Sequence, residues 1–150
     1  MIQRYGALAL FLLVSLGGGL LIGSQTLPGE WYDALDKPWF NPPDWLFGPV
    51  WTVLFVLIGI AGWRVWQARL WPALVLWVMQ MLLNFAWTPT FFTAEAILPA
   101  LVIVLTLLAT VVGFLSTTIQ AERGAFWCFV PYAAWVGFAS LLTASIWWLN

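Results

Sequence analysis

The chain has no histidine, and its 150 residues include one cysteine, Cys128. Without histidine there is no His-based triad, and a zinc site of the usual Cys/His kind has no ligands. A lone cysteine excludes a disulfide framework within the chain. Charge is almost as scarce. Only 7% of residues are charged, against roughly 25% in a soluble domain. Five basic and six acidic residues leave a net charge of −1, so the basic footprint of a nucleic-acid-binding protein is missing. Most enzyme templates fail here for want of parts. What remains is 63% hydrophobic, with a mean hydropathy of +0.95. That composition belongs to an integral membrane protein.

Five apolar segments are separable, at about 5–23, 45–66, 71–92, 96–119 and 125–149. Each is close to the ~20 residues a helix needs to cross hydrocarbon. Runs this long and unbroken do not suit alternating barrel strands, so the fold class is all-α: five transmembrane helices in one membrane domain over 1–150. The first run, Ala7–Ile22 after Arg4, exceeds the ~7–15-residue core of a signal peptide and lacks an A-x-A-like site, so a retained helix is expected. The prolines Pro49 and Pro99 fit helix starts, whereas Pro89 and Pro131 should kink or end a turn. Arg4, Arg64, Arg69 and Arg123 fall on one side of a five-span topology and Lys37 on the other. The positive-inside rule then puts the N-terminus in the cytoplasm, and loop 24–44 and the C-terminus outside. Helical spans favour a bacterial inner membrane, since outer-membrane proteins are usually barrels; the outer membrane stays open.

Connections are short except between the first two spans. There the chain reads WYDALDKPWFNPPDWLFGPVW from Trp31 to Trp51. It is too aromatic for a solvated linker and too proline-rich for a continuous helix. Asp33, Asp36, Lys37 and Asp44 would be unpaired in hydrocarbon. Rings with polar handles favour the membrane–water boundary. The stretch 31–44 is therefore expected to be an ordered cap, with 45–51 leading into the second span.

Polar side chains deep in the spans are few, so each is informative. Trp77, Gln80, Asn84 and Trp87 fall within an arc of about 80° on span 3 and should face the bundle interior, because an amide facing lipid is costly. Trp51, Phe55, Ile58 and Gly62 form a stripe on span 2, and Pro131, Trp135, Ala139, Leu142 and Ile146 one on span 5. Three aromatic walls with two amides describe a pocket for a large, flat, mostly apolar ligand. Plain bundle packing with helix-bridging amides is the other reading of the same spacing. Ser15, Gly19 and Gly23, with Gly59 and Gly62, allow close helix approach, either inside the bundle or at a dimer seam. Glu95 and Glu122 are read as water-facing loop residues, and Cys128 as a small apolar filler. Asp33 and Asp36 lie in an open loop where nothing forces their pKa values apart, so they are not read as an acid/base pair.

The motifs WYDALDKPWFNPP at 31–43, PVWTVLF at 49–55, LNFAWTPTFF at 83–92 and VPYAAW at 130–135 resemble the TspO/MBR family, the tryptophan-rich sensory and translocator proteins. The resemblance implies a five-helix bundle, usually a homodimer, whose first loop closes over a pocket for tetrapyrroles such as protoporphyrin IX. Isoquinoline carboxamide and benzodiazepine-type ligands are implied for the same pocket. No other cofactor and no metal are implied. By matching motifs, Trp51 and Asn84 would hydrogen-bond a ligand carbonyl, and Tyr32 would close the loop over it. Phe55, Ala139 and Leu142 would line the walls, beside the spacing-derived Gln80 and Trp87. An alternative reading is a light-dependent porphyrin-degrading enzyme, with Trp51 and Trp135 as the catalytic candidates. The animal cholesterol motif needs a base soon after a tyrosine, but Tyr132 is followed by AAWVG. A specific cholesterol site is therefore not expected.

Overall fold

The computed structural model describes residues 2–150, with side chains from residue 5 onward; Arg4, counted above on the basic side, lies outside the described side chains. The chain is helical almost throughout, and five helices are long and apolar enough to cross a membrane: Tyr5–Gln25, Asp44–Gln67, Trp71–Thr93, Ile97–Thr118 and Arg123–Leu149. The first is built from α1 (Ile2–Leu12), a π-helical turn (Leu13–Gly17) and α2 (Gly18–Gln25). A short α3 (Glu30–Ala34) lies in the cap, which reaches the second span through a 3₁₀ turn at Asp44–Leu46. The remaining spans are α4 (Phe47–Gln67), α5 (Trp71–Thr88) with a π-helical turn at Pro89–Thr93, α6 (Ile97–Thr118) and α7 (Arg123–Leu149). This is the expected all-α, five-span, multi-pass membrane protein.

Turn chemistry makes the connections tight. After α4, the Leu70 N–H reaches the Val65 carbonyl at 3.0 Å and the Arg69 N–H reaches Trp66 at 3.1 Å. These paired bonds form a Schellman closure, which needs a left-handed residue at Arg69; its φ is 54°. Pro72 then occupies the first turn of α5, where its missing N–H costs nothing. Pro89 ends the regular part of α5 as expected, whereas Pro131 sits inside an unbroken α7.

Glu122 is not simply water-facing, as its loop position suggested. Its carboxylate accepts both the Arg64 Nε and Nη2 donors, at 2.7 and 2.8 Å, and caps α7 by accepting the Ala125 N–H at 2.7 Å. The bonded Arg64 guanidinium, ahead of the cap bond, holds the Glu122 carboxyl below its usual range. A depressed folded-state pKa means that this stabilisation is present above the ordinary carboxylate pKa of about 4.3 and is lost as pH falls below it. Glu122→Gln should cost about 1 kcal/mol near neutral pH and flatten the loss of thermal stability on acidification. Thermal melts in detergent across that range check both; an unaltered acid limb would assign it to another carboxylate.

The two ends of the bundle are distinct. Arg64 meets the start of α7, while the cap meets its end. There Asn150 accepts the Asp36 N–H at 3.1 Å and donates to the Asp36 carbonyl at 3.0 Å.

Small residues serve packing between the first two spans. Ser15 is fully buried, and an added Cβ at Gly59 would lie 2.6 Å from its Oγ. An added Cβ at Gly19 would strike the Phe55 ring, and one at Gly62 would lie 2.5 Å from the Trp77 ring. Of the two readings of this spacing, the structure places Ser15, Gly19, Gly59 and Gly62 inside the bundle. Span 5 keeps Ala139, Leu142 and Ile146 of its expected stripe inward but is turned at Pro131 and Trp135. Pro131 is exposed and Trp135 half-buried, while Phe129, Tyr132, Val136, Ala139, Leu142 and Ile146 are buried. Phe129 stacks on Phe114 of α6 at 3.8 Å.

A candidate ligand cavity beneath the aromatic cap

The inward face of span 3 is as its spacing suggested: Trp77, Gln80, Asn84 and Trp87 are all buried. Their partners separate them into two groups. Trp77 lies deep, donating its indole N–H to the Ile58 carbonyl at 2.8 Å. Asn84 and Trp87, about two to three turns nearer the cap, border a cavity of about 640 Å³, well within the ~300–1,000 Å³ range of small-molecule sites.

Three spans and the cap make its walls. Gly19, Leu20, Ile22 and Gly23 come from α2; Gly48, Trp51 and Phe55 come from α4; Asn84, Phe85, Trp87, Thr88 and Phe92 come from the cap-ward end of span 3. Tyr32 of α3 roofs it. The aromatic rings are in mutual contact. Trp51 stacks on Phe55 at 5.3 Å and meets Trp87 at 6.4 Å and Tyr132 at 6.3 Å. Tyr32 meets Phe92 edge-on at 5.3 Å. Offset and edge contacts of this kind hold rings in fixed orientations.

Polar groups are sparse and ordered. The Asn84 amide nitrogen donates to the Tyr132 hydroxyl at 2.8 Å, and that hydroxyl donates to Gln80 Oε1 at 2.8 Å. This chain of three side chains runs from the cavity wall into the core. Gln80 Nε2 and the Trp87 indole N–H are buried with no partner among the described residues. Above the cavity, the Tyr32 hydroxyl lies 3.2 Å from Asn41 Oδ1 and donates to it. Burial, with smaller contributions from Asp44 and Asp33, pushes the Tyr32 phenol up, so it stays a neutral donor. Lys37 lies 4.6 Å from the Tyr32 ring centre and donates to the Asp33 and Leu35 carbonyls, which ties it into the cap.

Of the residues singled out from sequence, the structure gathers Tyr32, Trp51, Phe55, Asn84 and Trp87 at this cavity. It does not bring Gln80, Trp135, Ala139 or Leu142 to the wall. Gln80 is fully buried behind Asn84 in the polar chain, accepting from the Tyr132 hydroxyl. Trp135 packs instead against Phe47 at 6.0 Å and Phe138 at 5.5 Å, with its indole N–H buried and without a partner among the described residues. Ala139 and Leu142 are buried without bordering the cavity. The wall expected from span 5 is supplied by span 1, because α7 turns Tyr132 inward to meet the two amides. Sequence reasoning missed Ile22 and Gly23 as wall residues and Tyr132 as the bridge. The signals available were the glycine run of span 1 and a buried tyrosine with amides to satisfy. Among the described residues, no three His, Cys, Asp or Glu side chains cluster as a metal site would require.

Comparison with known proteins agrees with this architecture. The TspO/MBR family profile matches residues 7–149. The tryptophan-rich sensory protein of Cereibacter sphaeroides is 36% identical over 145 residues, covering 96% of this chain and 92% of that one. The tryptophan-rich protein TspO of Chlorobaculum tepidum is 37% identical over 131 residues, with 82% of each chain covered. The human translocator protein is 34% identical over 142 residues, covering 86% of this chain and 82% of that one. A membrane bundle with this cap, matched along nearly its whole length, belongs to the TspO/MBR family.

Proposed function

We propose that this chain is a membrane sensory or transport protein that binds tetrapyrroles in the cavity beneath the cap. The observation that carries the reading is the cavity itself: aromatic walls in fixed mutual contact, with Asn84 as a positioned polar group and Tyr32 as a roof. A flat macrocycle suits such walls, since ring faces recover dispersion and stacking energy along its plane. Trp51 and Phe55 form one stacking face. Asn84 and Tyr32 meet the ligand's polar edge, and acidic substituents lie toward the wet cap. Isoquinoline carboxamide and benzodiazepine-type ligands, being flat and mostly apolar, fit the same description. Relatives named as sensory and translocator proteins support this class of function. The same proposal takes the protein as a homodimer of single membrane domains, with the Arg64 end in the cytoplasm, the cap outside, and the bacterial inner membrane as its site. Binding is favoured over light-dependent degradation because Trp135, the second tryptophan that chemistry would use, packs away from the cavity.

The test is titration with protoporphyrin IX in the dark, read by tryptophan fluorescence of detergent-solubilised protein. Saturable one-site quenching is expected, weakened at least about tenfold, or about 1.4 kcal/mol, in the Trp51→Ala/Asn84→Ala double variant. Non-saturable quenching, indifferent to Asn84, would refute the assignment. Loss of the porphyrin band on later illumination, dependent on Trp135, would move the reading to the enzyme.

A further inference from the structure

We infer that the cavity is reached sideways from the bilayer, through a slot between the first two spans, by flat apolar molecules dissolved in the membrane. The inference rests on the cavity's proposed role in binding such molecules; the slot itself is read from packing. The two helices are tightly joined in the membrane interior, where an added Cβ at Gly59 would meet Ser15 and one at Gly19 would meet Phe55. One turn closer to the cap the seam parts. Gly23 continues the inward stripe of Ser15 and Gly19, and Gly48 the inward stripe of Trp51 and Phe55. Both line the cavity, both are exposed, and a Cβ built on either finds no atom within 4 Å. Where side chains would close the wall, there are none.

The other sides are packed. Toward span 3, Phe85 seals the wall against Gly18, whose added Cβ would lie 2.6 Å from the ring. Toward α7, Trp51 rests on Tyr132. Overhead, Tyr32 is buried against Phe91 and Phe92, and the cap is fastened to the end of α7 through Asn150 and Asp36. The rim of the slot faces outward and is largely apolar, with the exposed Ser24 and Asp44 on its cap side. Leu20 and Leu27 line the cavity while being 50% and 71% exposed, and Trp45 beside them is 72% exposed. Gly23 and Gly48 lie near the cap-side ends of their membrane-spanning segments. A molecule using the slot therefore slides its apolar body in from the acyl chains while its polar edge stays at headgroup level, so it need not cross water.

The experiment is stopped-flow binding to the protein in phosphatidylcholine nanodiscs, with protoporphyrin IX and, separately, the apolar dye aminoanthracene. The variants are Gly23→Leu and Gly48→Leu. Open space surrounds both positions, and leucine is a better helix former than glycine. Association and dissociation should both slow by about fivefold or more, because a doorway serves both directions. Unaltered association in both variants would overturn the inference, as would a weaker affinity arising only from faster dissociation. Asn150→Ala, which unfastens the cap, provides the opposing arm. Association accelerated by Asn150→Ala but indifferent to the glycine variants would place access beneath the cap. If the dye reports the slot while porphyrin never saturates the unsubstituted protein, the access route stands and the tetrapyrrole assignment fails.

Discussion

Gly59→Leu is expected to lower stability by about 3 kcal/mol, at the upper end for overpacked positions. A Cβ at residue 59 would lie 2.6 Å from Ser15 Oγ and 2.9 Å from the Leu12 side chain. Either of those could in principle rotate. The third contact cannot: it is the Leu12 Cα at 3.2 Å, part of the α1 backbone. Ser15 has little freedom either, being fully buried and bonded to the Phe11 carbonyl at 2.9 Å. A leucine at 59 must therefore push the first two spans apart, forfeiting dispersion contacts along the whole seam. For a chain of this size the shift in Tm should be roughly 6–12 °C, read by thermal melts in detergent. Gly113→Leu is the comparison. Its added Cβ would meet only the Leu76 side chain at 3.6 Å, an ordinary contact, so its cost should stay below about 1 kcal/mol. Equal costs at the two positions would show that helix propensity or detergent, not close approach, sets the effect.

The second large effect is expected at Tyr132→Phe, at about 2 kcal/mol. The change removes one oxygen from a site with no exposure, and two buried amides lose their partner together. Gln80 is fully buried and Asn84 is 4% exposed, so Gln80, which does not border the cavity, is left with no replacement for the hydroxyl. An interhelical hydrogen bond within a membrane protein averages only ~0.6 kcal/mol. The larger figure comes from the two orphaned groups, not from the bonds themselves. This yields a sharper test than the single variant. Adding Gln80→Leu removes one of the orphaned amides, so the double variant should be less costly than the sum of the single ones. Strict additivity in that cycle would mean that Tyr132 matters for its ring alone.

These positions also show how far the residues themselves can be read. The count and length of the spans follow from hydropathy, because hydrocarbon thickness demands about 20 apolar residues in a helix. The inward face of span 3 follows from the cost of turning Gln80 and Asn84 toward lipid. The cap follows from charged and aromatic residues that suit an interface and nothing else. Each of these is a relation between one segment and its solvent, and such relations are local. The resemblance to the TspO/MBR family added Tyr32 and gave Trp51 and Asn84, already on inward stripes, a ligand-facing role; the fold brings the three together.

Which face meets which partner is a different kind of fact. Periodicity put Trp135, Ala139 and Leu142 on one stripe, but a stripe does not name its neighbour. The outcome was decided by two amides that needed a hydroxyl. Tyr132 turned inward to supply it, and Trp135 was carried round toward Phe47. Span 1 then took the place at the cavity that span 5 had seemed to hold, because glycine at 19 lets the Phe55 ring approach its backbone. Glu122 likewise read as an ordinary loop acid until the return of the chain set it beside Arg64, 58 positions earlier. Composition and periodicity thus determined a five-span membrane protein with an interfacial cap. The cavity's walls, its polar chain and its open seam were settled only by tertiary packing, where buried polar groups must find partners and backbones approach only where side chains permit.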